Sequence, residues 1–124
     1  MIVSSVPFKV HIRSQKGADR FSGLASVKLA DSFWTRLVGL LSRSSINQDE
    51  GLLIVPCASI HTFFMRFPID LVFLDKECRV VGTSGNVKPN RIRLAPKNTH
   101  SVLEIAEGNV KKTGIHLDDF LIFD

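Results

Sequence analysis

The sequence contains no tyrosine, only one tryptophan and two cysteines, and no long hydrophobic run. No apolar run approaches the ~20 residues that a membrane-spanning helix needs. The N-terminal residues do not show the basic region and long apolar stretch of a signal peptide. Cys57 and Cys78 lack the spacing of zinc and redox sites, which favours free thiols in a reducing compartment. The sequence therefore predicts a cytoplasmic protein without a membrane span.

Motifs for cofactor chemistry are also missing. His11, His61, His100 and His116 have no metal-ligand spacing, and neither Cys57 nor any serine lies in a recognisable nucleophile motif. The glycines around residue 83 lack the lysine and helix that follow in a phosphate-binding loop. We therefore expect no metal and no other cofactor. Whether the protein is an enzyme stays open, and the sequence leans towards a non-enzymatic protein.

Basic side chains are concentrated between residues 76 and 100, in a chain with a formal net charge of +4. Such a surface can attract an anion or a nucleic acid. No exposed-looking aromatic residues accompany these charges for base stacking. The alternation of residues 91–94 also fits a sheet-edge strand with its charged side chains outward. A basic surface that could bind nucleic acid is therefore predicted but not favoured; it consists of Arg79, Lys88, Arg91, Arg93 and Lys97.

The hydrophobic pattern predicts an α+β domain. Strands are predicted where apolar residues alternate or form short runs: 24–30, 51–55, 69–74, 79–81, 100–105 and 120–123. Helical spacing predicts one helix over residues 32–43, and Asn109 is predicted to cap a second one that ends at Gly114. Because short connections favour antiparallel pairing, we expect a curved, barrel-like, mainly antiparallel sheet with two short helices. Residues 24–124 are predicted to form a single domain, and residues 1–23 an N-terminal arm or a peripheral strand.

The most unusual stretch runs from His61 to Asp75, where charged residues lie in a strongly apolar segment. Charged residues are rarely buried unless they are paired, so these charges either lie at an edge or pair around something. Alternation places Asp70 on the strand face of Val72 and Leu74, and apolar neighbours on both faces predict that it is at least partly buried. Its expected partners are Arg66 and Arg36, because arginine can bind a carboxylate through two hydrogen bonds.

Three blocks of the sequence resemble the family catalogued as domain of unknown function 192. Residues 36–43 are similar to its R-x-x-G-L-M-x-R motif, residues 50–56 and 62–75 to its central block, and residues 101–108 to its V-L-E-x-x-x-G motif. The resemblance covers roughly residues 33–123. It implies a compact fold with an antiparallel sheet, and it implies no reaction, cofactor or catalytic residue.

The chain departs from this family at three places. Leu41 stands where methionine is usual, and Asp118-Asp119 replaces a usual Gly-Asp. Cys78 stands where the turn usually has glycine, so we expect Cys78 to have a positive φ angle.

Our leading hypothesis is a small binding module for an anionic or peptide ligand, present as a monomer or a weak dimer. Its predicted ligand-binding residues are His61, Thr62, Phe63, Met65, Arg66 and Asp70. These residues can converge on one site only if Pro68 turns the chain between them. The alternative to a ligand site is a structural ion pair between Arg66 and Asp70. The second hypothesis is an enzyme with His61 as base and Asp70 orienting it. The basic surface defined above is the third hypothesis.

Overall fold

The computed structural model of the protein describes residues 7–30, 45–55, 59–61 and 67–124, with only the backbone at 59–61. These residues form ten strands and one short helix. In chain order the elements are β1 (Val10–Arg13), β2 (Asp19–Phe21), β3 (Ser26–Ala30), β4 (Glu50–Ile54), β5 (Ser59–His61), β6 (Ile69–Leu74), β7 (Val80–Val87), β8 (Ile92–Leu94), β9 (Ser101–Ala106), α1 (Asn109–Thr113) and β10 (Phe120–Phe123).

A five-stranded sheet with the order β3-β4-β9-β6-β7 forms the centre of the fold. Only β3 and β4 pair in parallel, and the other neighbours are antiparallel. All residues of β6 and β9 are buried, because these two strands lie inside the sheet and both of their faces are covered. The predicted strands at 69–74, 51–55 and 100–105 are confirmed to within one residue at each end.

A three-stranded sheet, in the order β10-β1-β2, contributes to a core on one face of the five-stranded sheet. We call this the packed face. Val10 and Ile12 of β1 and Leu121 of β10 belong to the same apolar cluster as Val72 and Leu103. Within the segment predicted as an N-terminal arm or a peripheral strand, β1 and β2 are therefore paired strands. The boundary of the domain at residue 24 stays a prediction.

The opposite face of the five-stranded sheet carries a second apolar cluster, formed by Ala30, Leu52, Ile54, Phe67, Ile69, Leu71, Phe73, Val87 and Val102. Glu104 lies on this face, because its register partners are Leu52 and Leu71, and we call it the Glu104 face. Ala95 packs against this cluster, and Pro96 lies so close to Gly82 of β7 that a Cβ added there would be 2.7 Å from Pro96 Cγ.

The strands β6 and β7 form an antiparallel hairpin, as expected from the short connection between the predicted strands 69–74 and 79–81. Its turn is closed by Asp75, whose backbone oxygen accepts a hydrogen bond from the N–H of Cys78. Cys78 has φ 63°, which confirms the positive φ angle expected from the missing glycine. The strand β7 extends to Val87, well beyond the predicted 79–81 segment.

Two features of the predicted fold are not confirmed. None of the sheets closes into a barrel within the described residues, so the barrel-like curvature stays a prediction. The helix predicted at 32–43 lies outside the described residues. The second predicted helix is present as α1, although Gly108, with φ 85°, precedes it as the cap and Asn109 is its first residue. Gly114 ends it as predicted. The result is an α+β protein made mostly of strands.

Candidate functional site

Asp70, the residue on which most of the predicted chemistry depends, is buried, with only 2% of its surface exposed. Its Oδ1 accepts a hydrogen bond from the backbone N–H of Asn86 at 2.8 Å. Its Oδ2 accepts one from the backbone N–H of Val110 at 2.9 Å. The burial was predicted, but these partners are backbone amides and not arginines. Arg36 and Arg66, the expected partners, lie outside the described residues.

A β-bulge places the first of these amides. Between Ile69 and Leu71 the pairing of β6 with β7 shifts by one residue, so that Gly85 and Asn86 both face Asp70. An extra residue of this kind bends the strand and can turn an N–H out of the ladder. Asn86 accordingly has φ 51°. Asp70 therefore connects the central strand β6 to the bulge in β7 and to α1, which is a structural task.

An open cleft of about 500 Å³ borders Asp70 on the packed-face side of the sheet. It is lined by Asp70, Gly85, Asn86, Glu107, Gly108, Val110, Lys111, Gly114, Ile115 and His116. Both oxygens of Asp70 are already occupied by backbone donors, so this carboxylate offers little to a ligand in the cleft. Backbone atoms and apolar side chains supply much of the remaining surface.

Glu104 differs from Asp70, because it is buried without the hydrogen bonds that satisfy the Asp70 carboxylate. It lies in the middle of β9 with 6% of its surface exposed, between the apolar residues Leu52 and Leu71 of the neighbouring strands. Burial raises the pKa of Glu104 to about 7, because the charged form loses its hydration there. Within the described residues no hydrogen bond or ion pair reaches its carboxyl. Among the described residues, every fully enclosed polar side-chain atom has a hydrogen-bond partner. Because the Glu104 carboxyl has none, it is not fully enclosed and keeps a narrow contact with solvent.

Glu104 belongs to a row of side chains that crosses the Glu104 face from edge to edge. The register pairs Lys28 with Leu52, Leu52 with Glu104, Glu104 with Leu71, and Leu71 with Ser84. Opposite residues on paired strands share a face. The row therefore runs from Lys28 at one edge of the sheet, across the buried Glu104, to Ser84 at the other edge.

Arg93 of β8 lies over the serine end of this row. Its Nε donates a hydrogen bond to Ser84 Oγ at 3.2 Å, and Nη1 donates to the backbone oxygen of Ile92 at 3.1 Å. The prediction of outward-facing arginines in this strand is therefore wrong for Arg93. Ile92 and Leu94 are instead the exposed residues, at 57% and 82% of their surface. The alternation of this strand is the reverse of the predicted one, because Arg93 turns towards its hydrogen-bond partner Ser84 on the sheet.

The other members of the predicted basic surface differ in their surroundings. Arg79 Nε lies 3.6 Å from Asp75 Oδ2 and 3.7 Å from Asp118 Oδ1, so its charge is partly balanced. Lys88, Arg91 and Lys97 are exposed. The basic surface as a nucleic-acid site stays a prediction.

The predicted ligand segment is described only at its ends. His61 is the last residue of β5 and is the register partner of Ile92 in β8, and nothing is described of its side chain. Thr62, Phe63, Met65 and Arg66 lie outside the described residues. Phe67, which follows them, is buried in the cluster of the Glu104 face. Asp70 belongs to the packed face, since Val110 of α1 bonds it there.

Sequence reasoning missed Glu104 as a site residue, although a signal was present. The stretch 102–106 is apolar on both faces except for Glu104, which is the argument that singled out Asp70. In the described part of the chain, no three histidine, cysteine or acidic residues are grouped so that they could hold a metal ion. No helix among these residues is long and apolar enough to cross a membrane.

The described residues define a β-rich α+β protein with a buried acidic residue on one face of its central sheet. A family model, DUF192, described as an uncharacterized ACR, matches residues 13–123. The chain therefore belongs to this family, which confirms the resemblance seen in the sequence. A UPF0127 protein of Pyrococcus horikoshii is 36% identical over 87 residues, a match that covers 66% of this chain and 73% of that protein.

Two crystal structures share the fold. One is a protein of Sinorhizobium meliloti proposed to be a transcription regulator, with a TM-score of 0.81 and 22% identity over 97% of this chain and 98% of that one. The other is a protein of unknown function from Novosphingobium aromaticivorans, with a TM-score of 0.79 and 22% identity over 98% and 93% of the two chains. At this identity the likeness concerns the fold alone.

Proposed function

We propose that this protein is a non-enzymatic binding module whose small ligand reaches the Glu104 carboxyl where that carboxyl contacts solvent. The observation that carries this proposal is the Glu104 carboxyl, which is buried among apolar residues and has no partner within the described residues. A buried polar group without a partner costs roughly 1–3 kcal/mol. A ligand that supplies the missing partner would recover that free energy.

The predicted ligand residues fit this proposal in part. His61, Thr62, Phe63, Met65 and Arg66 connect β5 to Phe67. Phe67 belongs to the apolar cluster of the Glu104 face, and β5 pairs with β8, whose Arg93 contacts Ser84 on the same face. We propose that residues of this segment border the ligand. Asp70 then supports the sheet and does not contact the ligand.

The test is a chemical-shift titration of the ¹⁵N-labelled protein with a mixed set of neutral, anionic, cationic and zwitterionic fragments. We expect at least one fragment to shift the backbone amides of Leu71, Ser84, Arg93 and Glu104 together, and to leave those of β1 and β10 unchanged. Glu77→Gln, which removes an exposed acid at the β6–β7 turn, is the control and should not alter the response. The proposal fails if no fragment shifts the amides of the Glu104 face.

An acid–base enzyme is the second candidate, and the same carboxyl favours it. A group with a pKa of about 7 can donate and accept a proton near neutral pH. Such chemistry normally needs a second group, whereas the flanking register partners of Glu104, Leu52 and Leu71, are apolar. Mass spectrometry of a bound fragment after prolonged incubation separates the two candidates: an unchanged fragment supports the binding module, and a converted one supports the enzyme.

A further inference from the structure

Two aliphatic side chains of β8 protrude into solvent next to each other. Ile92 and Leu94 expose 57% and 82% of their surface, and they lie on one face of the strand because side chains alternate along it. Among the described residues, the other exposed large hydrophobic residues are Phe21 and Leu117, and neither lies in β8. Single exposed aliphatic residues are common, whereas neighbouring ones with polar surroundings mark an interaction site.

The fold holds this aliphatic pair outward. Between the two residues, Arg93 turns the other way, and its Nε donates a hydrogen bond to Ser84 Oγ at 3.2 Å. Directly after the strand, Ala95 packs against the apolar cluster of the Glu104 face. A rotation of β8 that turned the pair inward would break both contacts. The exposure of the pair, which forgoes the free energy of apolar burial, is therefore built into the fold.

The surroundings of the pair are positively charged. The segment 88–98 contains four basic residues and no acidic one. Lys88 and Arg91 before the pair and Lys97 after it are exposed, so cations flank the aliphatic side chains on both sides along the chain. We call the surface formed by Lys88, Arg91, Ile92, Leu94 and Lys97 the β8 patch.

We infer that the β8 patch binds the surface of an anionic lipid bilayer. Basic side chains are attracted to acidic headgroups, and aliphatic side chains beside them enter the boundary between headgroups and acyl chains. This surface is distinct from the proposed ligand site at Glu104, and the inference does not depend on that site.

Other partners fit the β8 patch less well. Nucleic acid is bound by aromatic side chains that stack on bases, and the exposed side chains here are aliphatic. A peptide is held by an apolar groove or by pairing with a strand. Leu94, with 82% of its surface exposed, stands out from the protein and lines no groove. A lipid surface, by contrast, deforms around a protruding side chain.

The experiment is flotation of the protein with large unilamellar vesicles of two compositions. One set is pure phosphatidylcholine, and the other contains about one-third phosphatidylserine, which is anionic. We expect binding to the anionic vesicles to be at least tenfold tighter than to the neutral ones. This binding should weaken as the salt concentration rises, because salt screens the attraction between exposed charges.

Matched variants separate the aliphatic and the charged contributions. The double variant Ile92→Thr/Leu94→Thr keeps residues that favour strands and should weaken binding to the anionic vesicles at least tenfold, because apolar surface no longer leaves water. Lys97→Gln removes one exposed charge and should weaken binding about fivefold. Leu117→Thr and Lys28→Gln are the controls, since both change exposed residues outside the β8 patch, and they should bind like the unmodified protein.

Three results would overturn the inference. The first is no binding to the anionic vesicles at low salt. The second is equal binding of the double variant and Leu117→Thr, which would leave only a general attraction of charge. The third is binding of double-stranded DNA that Lys97→Gln weakens, without binding of vesicles, which would make nucleic acid the partner. Urea denaturation checks that the double variant is folded, and Leu94→Thr replaces it in the same comparison if it is not.

Discussion

Asp70 Oδ2 accepts a hydrogen bond from the backbone N–H of Val110 at 2.9 Å, across forty residues of chain. The other oxygen of the same carboxylate holds the bulge in β7 through Asn86. One side chain thereby fixes α1 and an edge strand to the centre of the sheet. Both bonds are made to an ionised acceptor, so each is stronger than a bond between neutral groups.

Asp70→Asn should destabilise the protein by about 2–4 kcal/mol, because the amide keeps one acceptor and turns an N–H₂ donor towards a backbone N–H. Urea denaturation at pH 7 measures the loss. The control is Asp49→Asn, since Asp49 is exposed, and it should change stability little. An unchanged midpoint for Asp70→Asn would mean that these two hydrogen bonds do not hold the fold together.

Cys78→Gly should stabilise the protein by about 1 kcal/mol. Cys78 has φ 63°, a conformation that costs a residue with a Cβ and costs glycine much less. Cys78→Ala keeps the Cβ, so it should give no gain in the same thermal melts. A lower melting temperature for the glycine variant would show that packing of the half-buried Cys78 side chain outweighs the backbone strain.

Glu104 should make the free energy of unfolding depend on pH. Its pKa is raised from 4.5 to about 7 in the folded chain, so between these values the folded state binds more protons than the unfolded state. Stability therefore falls as pH rises from about 4.5 to 7, and the full loss of roughly 3 kcal/mol is present above pH 7.

Glu104→Gln removes this titration, so comparison of the two proteins isolates it from other groups. We expect urea denaturation to show similar stabilities near pH 4.5 and a more stable variant at pH 8. A difference between the two proteins that stays constant over this range would show that Glu104 is hydrated in the folded state.

Gly82→Ala should destabilise the protein by about 1–3 kcal/mol through overpacking. The added methyl group would lie 2.7 Å from Pro96 Cγ, so the segment after β8 would have to move away from the sheet. Gly85→Ala is the control in the same strand, because its Cβ would lie 3.6 Å from its nearest neighbour, Asp70 Oδ1. Equal stability of the two variants in urea would contradict the contact with Pro96.

The parts of the fold that the sequence predicts best are those with local causes. The strand at 69–74 follows from a short apolar run that only Asp70 interrupts, and the positive φ angle of Cys78 follows from a turn that usually needs glycine. Both depend on residues within a few positions of each other.

The parts that could not be predicted depend on distant contacts. The amides that bond Asp70 come from a bulge and from a helix forty residues away, and no local pattern indicates either. Residues 91–94 alternate equally well with either face inward, and the hydrogen bond from Arg93 to Ser84 decides the orientation. Glu104 was overlooked because its neighbours suggested an ordinary strand, although burial on both faces of that strand left its carboxyl with little hydration.

The pairing of β1 with β10 has a consequence for how the chain folds. Val10 is the register partner of Phe123, and Arg13 of Phe120, so strands more than a hundred residues apart must meet. Contacts of such long sequence separation require the closure of a large loop before they gain any stability, and they slow folding. We therefore expect folding in milliseconds to seconds, with the three-stranded sheet forming after the hairpin of β6 and β7.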